Sequence, residues 1–374
     1  MADNQIVSPL LPAVRAQFDK SSFEMGYLFT GYSLAAGLSV LLWGPLSDAY
    51  GAKKGLLVGL SLFLSGAAVS YFSRTFGALL GGRVITGMGA SLLSLNTISY
   101  AADYFPYASR GWAMGSIFSS YFAALILGVP MGTVIADSLG WNSAFGLGGI
   151  TAIGLIFAVR RLLPDSAGRG RRRSSRLVAA QQIETYLRFL QAPKTVGVLL
   201  SAFFASAGIT GFIAFVGVWL HDSFGVASRQ IGLVFLVSGA AALVASPLAG
   251  SLSDRIGKRI QFIASSLAMA LLLVWAPHLK WGLWLCAVFG LISLAAAFRQ
   301  GPMEALMTEV VARQTRGSFI ALKNASSQLG IALAALLSGI IFEIAGYFGV
   351  CLFCAGLNLV AAGVMIQLVH ERHL

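Results

Sequence analysis

The sequence predicts an all-α integral membrane protein built from two related six-helix halves. Three observations carry this prediction: an apolar composition, a series of long apolar segments, and an internal repeat. Of the 374 residues, 57% are hydrophobic and only 11% are charged, and the mean hydropathy is +0.79. An average soluble domain carries about 25% charged residues, so this chain lacks the polar surface that water requires. The composition excludes a soluble enzyme, a nucleic-acid-binding protein and a disordered chain.

Eleven segments are long and apolar enough to span a bilayer, which takes about 20 residues in an α-helix. Short polar or turn-forming stretches separate them. Transmembrane strands are shorter and alternate strictly between polar and apolar residues, so helices are the prediction. The segments are 25–45, 55–73, 77–99, 111–136, 142–162, 195–220, 230–250, 260–276, 282–301, 318–342 and 348–369.

The basic residues are distributed unequally between alternate loops. Of the 26 Lys and Arg residues, 18 fall on one side of the predicted bundle, five on the other, and three in helices or at their ends. Cytoplasmic loops are enriched in Lys and Arg, so the first side is predicted to face the cytoplasm together with the C-terminus. This asymmetry explains most of the net charge of +12 without a nucleic-acid partner.

The sequence matches itself at an offset of 206 residues without gaps. The matching pairs include Gly26 and Gly232, Gly44 and Gly250, Asp48 and Asp254, Gly51 and Gly257, and Gly140 and Gly346. Such a repeat predicts two halves of one architecture. We place the first half at 1–163, a basic cytoplasmic linker at 164–193 and the second half at 194–374. An amphipathic stretch at 177–190 of the linker is expected near anionic lipid headgroups.

The first helix is shorter than the repeat requires. The first helix of the second half covers about 195–220, and its counterpart at the same offset begins before Met1. Residues 1–14 therefore supply only the outer portion of this helix, which ends in the proline-containing residues 9–12. We expect a missing N-terminal segment, and the alternative is a first helix of half the usual length.

One loop motif occurs twice at the repeat offset. The copies read Gly44-Pro-Leu46-Ser-Asp48-Ala-Tyr-Gly51-Ala-Lys53 and Gly250-Ser-Leu252-Ser-Asp254-Arg255-Ile-Gly257-Lys258-Arg259. Both resemble the loop signature between helices 2 and 3 of the major facilitator superfamily, approximately G-x-L-x-D-R-x-G-R-K. The first copy departs from it at Ala49 and Ala52, where a basic residue is usual. The resemblance covers essentially the whole chain and implies the major facilitator fold of a membrane transporter.

The loop motif also has a physical interpretation. Each acid ends a helix at the cytoplasmic face and is followed by a glycine, which permits a tight turn, and by cations. The acid can bind helix ends or basic residues of the facing half, whereas the alternative is an ordinary charged loop. We expect a conformational latch formed by Gly44, Asp48, Gly51, Lys53, Gly250, Asp254, Arg255, Gly257 and Arg259.

Three further motifs resemble those of proton-coupled drug and sugar efflux families. Arg83 begins an R-x-x-x-G-x-G-A sequence similar to the helix-4 arginine motif, and Gly128-Val-Pro130-Met-Gly132 is similar to the helix-5 antiporter motif. Asp3-Asn4-Gln5 is similar to a polar site in helix 1 of such antiporters. The resemblance implies a proton-coupled exporter of a small organic compound in which Asp3 and Arg83 couple proton movement.

The residue types at these positions support the same roles. Asp3 is the only acid within the depth of a first-half helix, and Arg83 lies one turn into its helix. Charge inside a bilayer is costly unless it is paired or hydrated, and an arginine near an acid biases the pKa of that acid. The alternatives are a frayed terminus for Asp3 and, for Arg83, a side chain that reaches the outer headgroups.

Polar residues inside helices 4 and 11 predict substrate contacts. Amides and a cation at this depth are expected to line a central cavity, and hydrogen bonding between helices is the alternative. Near the cytoplasmic end of helix 10, Arg299 and Glu304 predict either a mutual ion pair or a solvated helix end. The residues expected to bind substrate are Asn96, Lys323, Asn324 and Gln328.

The helix-5 motif predicts close packing and a bend. Gly128 and Gly132 are four residues apart, so they share one helix face and permit a neighbouring helix to approach. Pro130 removes a backbone hydrogen bond and is expected to bend the helix. Such a bend would restrict leakage when the cavity closes.

Secondary active transport by alternating access is the function that these features predict. The chain has no G-x-x-x-x-G-K-[ST] loop for ATP and no H-E-x-x-H or G-x-S-x-G enzyme motif. Cys351 and Cys354 lie in an apolar helix and are assigned to packing. We expect no cofactor or metal, a monomer in the bacterial inner membrane, and protons and a small organic molecule as partners. The alternatives are an uptake symporter, a lipid translocase or receptor, and an intramembrane enzyme.

Overall fold

A computed structural model describes residues 2–106, 116–117, 120, 123–164, 175–311 and 315–369. For residues 2, 44–50, 102–103, 175–181, 254 and 308–309 it describes the backbone alone. Within these ranges the chain forms 13 α-helices and no strand, which confirms the predicted all-α class. The helices are α1 (Ala2–Gln5), α2 (Val7–Phe18), α3 (Ser22–Tyr50), α4 (Ala52–Tyr71), α5 (Phe76–Tyr104), α6 (Val129–Leu139), α7 (Ser143–Leu162), α8 (Ser175–Gln191), α9 (Pro193–Phe224), α10 (Ser228–Ile256), α11 (Lys258–Trp275), α12 (Leu283–Val310) and α13 (Arg316–Leu368).

Nine helices of the described ranges are long and apolar enough to cross a membrane. The 53-residue α13 contains two predicted spans, 318–342 and 348–369, with Gly346 in a non-helical conformation between them. The predicted span 111–136 is described only in its second part, as a π-helix at Ala124–Gly128 followed by α6. Residues 111–115 lie outside the described part. Many large aliphatic side chains are exposed, as expected for a bundle whose outer surface contacts lipid.

The first helix continues further than the sequence predicts. The proline-containing residues 9–12 were expected to end it, whereas α2 runs to Phe18 with Pro12 inside. A proline removes the hydrogen bond to the carbonyl four residues earlier, which here is that of Ser8. A Cβ atom on Gly217 of α9 would collide with this carbonyl oxygen. The glycine therefore allows α9 to pack closely against the backbone that the proline disturbs.

The backbone turns repeat at the offset of the sequence. Helices at equivalent places in the two halves end at left-handed residues, a conformation that glycine adopts without strain. The pairs are Asp19 and Gly225 (φ 48° and 64°), Gly51 and Gly257 (φ 88° and 90°), and Gly140 and Gly346 (φ 91° and 64°). The bounds at 163 and 194 remain predictions, because the repeat fixes equivalent positions and not the limits of the linker.

Among the described residues, the largest contacts between the two halves are those of α2 with α9, α3 with α13, and α6 with α10. We call the end that carries the turns at Gly51 and Gly257 the basic end, and the end that carries the turns at Gly140 and Gly346 the opposite end. The Gly26 Cα on α3 approaches α13 so closely that an added Cβ would lie 2.8 Å from the carbonyl oxygen of Ala335.

The linker contains a helix, α8, that covers the predicted amphipathic stretch 177–190. Its Phe189 is buried and stacks edge-on against Phe319 with ring centroids 5.1 Å apart. On another face, Ile183, Leu187 and Leu190 are exposed. One face of α8 therefore docks on the second half, while an apolar stripe remains on its surface at the basic end.

Candidate transport pathway

Arg83 is completely buried and forms an ion pair with Asp3. Its Nη1 lies 2.5 Å from Asp3 Oδ2, and its Nη2 donates a hydrogen bond of 2.9 Å to Asn4 Oδ1. The side chains of Arg83 and Asp3 are 0% and 7% exposed. The structure thus brings together two charged residues 80 positions apart in the sequence, and the buried charge of each has a partner.

Aromatic rings enclose the Arg83 guanidinium. Its central carbon lies 4.6 Å from the ring centroid of Tyr32 on α3 and 5.8 Å from that of Phe145 on α7. Aromatic faces attract cations most strongly where water is excluded. Arg83 Nε has no hydrogen-bond partner among the described residues. The guanidinium therefore depends on Asp3 and Asn4 for its hydrogen bonds, and a change in the charge of Asp3 changes the net charge of this buried site.

A second ion pair, which is partly buried, lies in the other half, between α12 and α13. Lys323 Nζ is 2.8 Å from Glu304 Oε1, and Gln300 Nε2 donates to the same oxygen at 2.8 Å. The Lys323 side chain is 8% exposed and that of Glu304 is 31% exposed. Lys323, predicted to bind substrate, thus already has an anionic partner in this conformation.

Of the two alternatives for Arg299 and Glu304, the mutual ion pair is wrong because Glu304 pairs with Lys323 instead, and the solvated helix end is wrong for Arg299 because its side chain is buried. Arg299 is buried and donates to the carbonyl of Ala205 on α9 at 2.9 Å and to the side chain of Asn358 on α13. A buried arginine needs a partner for its donors, and neutral oxygens serve this purpose here. Arg299 joins three helices of one half.

The other predicted substrate residues occupy different environments. Asn96 is fully buried, its Nδ2 donates to the carbonyl of Leu92 at 2.8 Å, and an added Cβ on Gly55 of α4 would collide with its amide. The amide fills the α4–α5 contact in this conformation, which favours the alternative of packing between helices, and a substrate contact of Asn96 remains a prediction. Asn324 is half-buried. Gln328 is half-buried at the contact between α13 and α3, where a Cβ added to Gly37 would lie 3.1 Å from the Cβ of Gln328.

The two copies of the loop motif make equivalent turns at the basic end. Gly51 separates α3 from α4, and Gly257 separates α10 from α11, each with φ close to 90°. Residues 44–50 and 254 are described by their backbone alone. The contacts expected of Asp48 and Asp254, and the surroundings of Gly44, therefore lie outside the described part, and the latch remains a prediction.

One basic residue of the second motif copy, Arg259, binds the end of a helix. Arg259 Nη2 donates to the carbonyl of Ile366 at 2.5 Å, in the last turn of α13 in the same half. The free carbonyls and the dipole at a helix C-terminus favour such a cation. Arg255 and Gly250 are exposed, and Lys53 is half-buried. Arg259 therefore stabilises a helix end of its own half, and its role in a latch between the halves remains a prediction.

The helix-5 motif lies at the contact between the halves. The π-helix at Ala124–Gly128 directly precedes α6, whose first turn contains Pro130. Proline leaves the carbonyl of Ile126 without its usual donor, and extra residues in a turn are one result of such a gap. An added Cβ on Gly132 would collide with Ile6 just ahead of α2, and one on Gly239 of α10 would lie 2.9 Å from Ile126. The motif therefore packs against a helix of each half.

Further polar contacts join the halves towards the opposite end. Arg15 Nη2 binds both carboxylate oxygens of Asp222 at 2.9 Å. Thr30 donates to the carbonyl of Ala332 at 2.9 Å, and Ser8 donates to that of Ile213 at 2.5 Å. Together with the close approach at Gly26, these contacts hold the two halves together in the part of their interface that lies nearer the opposite end.

The family is shown by the sequence profile of the Major Facilitator Superfamily, which matches residues 1–199 and again 198–373. This chain belongs to the major facilitator superfamily. Members of this superfamily are membrane transporters that work by alternating access, so the chain is a multi-pass membrane transporter. The two matches agree with the repeat, since the profile fits each part of the chain in turn.

Individual members of the superfamily match at moderate identity. The MFS-type transporter YwfA of Bacillus subtilis is 25% identical over 364 residues, which cover 96% of this chain and 86% of YwfA. Multidrug resistance protein 3 of the same organism is 31% identical over 160 residues, which cover 42% of this chain and 31% of that protein. The solved D-xylose-proton symporter is 19% identical with a TM-score of 0.82, covering 99% of this chain and 94% of that one, and it confirms the fold.

Proposed function

We propose that this chain is a proton-coupled antiporter that exports a small organic compound. The observation that carries the proposal is the buried ion pair of Asp3 and Arg83, because an acid inside a membrane bundle is expensive to keep without a function. The helix-5 motif at the seam between the halves supports exchange, and the similarity of part of the chain to multidrug resistance protein 3 supports export.

The Asp3–Arg83 pair supplies a coupling mechanism. A proton that binds Asp3 Oδ2 removes the negative charge opposite Arg83 and leaves the guanidinium with Asn4 and the Tyr32 ring. A buried cation without its anion destabilises the arrangement that encloses it. Protonation therefore favours a state in which Arg83 is hydrated or binds a substrate, and release of the proton restores the enclosed pair. In this mechanism, Asp3 carries a proton in one state of the bundle and pairs with Arg83 in the other, so the proton and the substrate are bound in turn.

The second half supplies the groups that we assign to the substrate. Lys323 offers a cation held by Glu304, and Asn324 and Gln328 offer amides nearby on α13. These side chains donate and accept hydrogen bonds, so they fit a polar group on an otherwise apolar molecule. Asn96 is left out of this site because it is buried against α4.

The expected setting is the inner membrane of a bacterium, with the basic end, the linker and the C-terminus in the cytoplasm. The unequal distribution of Lys and Arg supports this orientation. In this orientation the contacts of Asp137 and Glu343 between the halves face the outside of the cell. We further propose that the monomer is the transporting unit and that protons, the substrate and lipid are its partners.

A proton-coupled symporter that takes up a small organic solute is the second candidate. The fold shared with the D-xylose-proton symporter supports it, because one architecture serves transport in both directions. The Asp3–Arg83 pair serves either direction as well, since protonation changes the same electrostatic balance. Direction must therefore be measured.

Everted membrane vesicles with an acidic interior test both candidates. A pH-sensitive dye reports proton release while a panel of drugs, sugars and amino acids is added outside or loaded inside. An antiporter releases protons when its substrate is added outside, whereas a symporter releases them only with substrate loaded inside. We expect release on outside addition, and its loss in Asp3→Asn and Arg83→Ala.

Glu184→Gln is the matched control, because Glu184 is an exposed acid that pairs with Arg188 in its own helix α8. This variant is expected to transport normally. Equal loss in all three variants would remove the proposed role of the Asp3–Arg83 pair. A response of folded protein only to inside loading would replace antiport by symport, and no response would refute proton coupling for the compounds tested.

A further inference from the structure

Two carboxylates at the opposite end each bind the backbone of the other half. Asp137, near the end of α6, accepts a hydrogen bond of 3.0 Å from the backbone N–H of Arg229 at the start of α10. Glu343, which precedes the turn at Gly346 in α13, accepts one of 2.9 Å from the N–H of Phe23 at the start of α3. Each acid therefore caps the first turn of a helix across the seam.

The two contacts are equivalent under the internal repeat. Asp137 and Glu343 are 206 residues apart, and so are Phe23 and Arg229. The fifth helix of each half thus binds the second helix of the other half in the same way. Because the donors, the acceptors and the offset are equivalent, the two contacts are two copies of one structural feature.

Each contact satisfies a donor that the local helix cap leaves open. The first N–H groups of a helix lack partners within the helix and favour negative charge. At α3, Glu24 Oε2 already accepts from the N–H of Ser21 at 3.0 Å. At α10, Gln230 Oε1 accepts from the N–H of Ala227 at 3.1 Å. In each first turn, the acid from the other half accepts from the N–H two residues further along, which is that of Phe23 in α3 and that of Arg229 in α10.

We propose that Asp137 and Glu343 are positioning residues that stabilise the state in which the opposite end is closed. Both bonds must break when the halves separate there, because acceptor and donor belong to different halves. The inference rests on the alternating access of the proposed function and is independent of its coupling ion and substrate. Neither residue belongs to the sites assigned above to protons or substrate.

The expected effect is a shift between two conformational states. Loss of a capping side chain costs about 1 kcal/mol, which corresponds to about a fivefold change in an equilibrium constant. Both acids are exposed, so water competes for the bonds, and about fivefold is an upper expectation for one cap. Since the two contacts lie at separate helix pairs, their effects should multiply to about 25-fold when both are removed.

The experiment measures the distance between the halves at the opposite end. Spin labels are attached to Arg74→Cys, between α4 and α5, and Lys280→Cys, between α11 and α12, in a Cys286→Ala background. Both labelled positions are exposed. Double electron–electron resonance on the full chain in lipid nanodiscs, without substrate, then gives the populations of short and long distances.

Asp137→Ala and Glu343→Ala should each increase the long-distance population, and the double variant should increase it further. Glu24→Ala is the matched control, because it removes an acidic cap from the same end of α3 without a contact between halves. Asp137→Asn, which keeps an acceptor oxygen, should stay within about twofold of the parent.

Unchanged distances in both alanine variants, or an equal shift in Glu24→Ala, would overturn the proposal. In the second case a weakened helix end, and not the contact between halves, would explain the shift. Because the readout needs no substrate, failure here leaves the vesicle experiment on proton coupling intact. Melting temperatures of the purified variants confirm that the compared proteins are folded, and Asp137→Asn provides a gentler comparison if an alanine variant unfolds.

Discussion

Two buried arginines show how the same side chain serves different purposes at the scale of single residues. Arg83 faces a carboxylate and two aromatic rings, so its balance of charge depends on a group that can take up a proton. Arg299 donates to neutral oxygens of Ala205 and Asn358, and such contacts do not change with proton binding. The partners therefore distinguish the arginine that we propose for proton coupling from one that joins helices.

The stability of the Asp3–Arg83 pair provides a prediction at the same scale. Arg83→Gln leaves Asp3 buried without its cation, and breaking a buried pair in this way costs about 3–5 kcal/mol. The double variant Asp3→Asn/Arg83→Gln removes both charges and should recover at least half of this loss. Thermal unfolding in detergent measures both effects.

Arg15→Gln is the control for this measurement. Arg15 binds Asp222, but both side chains are about one-third exposed, so the substitution should cost at most about 1 kcal/mol. A double variant that is less stable than Arg83→Gln would contradict the interpretation of the pair as mutually compensating charges.

At the scale of elements, glycines allow helices of the two halves to approach closely. The glycines at equivalent positions of α3 and α10, Gly26 and Gly232, both lie against a helix of the other half, where an added Cβ would meet Ala335 and Thr133 respectively. The π-helix ahead of Pro130 packs on the same α10. Changes at these positions therefore act on the contact between halves and not on the interior of one half.

Gly26→Ala should impair transport more than folding. The added Cβ would lie 2.8 Å from a backbone oxygen of Ala335, which cannot move without shifting α13. We expect at least a tenfold lower transport rate in the vesicle assay with normal expression. Gly81→Ala in α5 is the control, since nothing lies within 4 Å of its added Cβ, and equal rates for both variants would contradict the prediction.

The elements were largely predictable from the sequence, and their side-chain contacts only in part. Length and hydropathy predict the spans, and the offset of 206 predicts equivalent turns such as those at Gly51 and Gly257. The partner of Glu304 was missed because Lys323, 19 residues away, reaches it from another helix, and spacing along one helix contains no such information. Asp137 and Glu343 were not predicted although they share the offset, because the two positions hold different acids and so do not stand out as an identical pair in the repeat.

At the scale of the whole molecule, charge and conformation suggest one orientation. The described hydrogen bonds and the ion pair between the halves, such as those of Arg15, Phe23 and Arg229, lie nearer the opposite end, whereas Lys and Arg concentrate in the loops of the basic end. Basic loops remain in the cytoplasm, so the paired caps of Asp137 and Glu343 would close the external side. The same caps would form an internal gate if the molecule were inserted the other way.

Labelling of single cysteines decides between the two orientations. In a Cys286→Ala background, Lys280→Cys marks the opposite end and Lys194→Cys marks the basic end, and both positions are exposed. A membrane-impermeant maleimide added to intact cells should modify Lys280→Cys at least tenfold faster than Lys194→Cys, and everted vesicles should reverse this order. Denatured protein calibrates the signal, after subtraction of the signal of the denatured Cys286→Ala parent, in which the otherwise buried Cys351 and Cys354 react. The reverse order in intact cells would place the basic end outside, and the contacts of Asp137 and Glu343 would then face the cytoplasm.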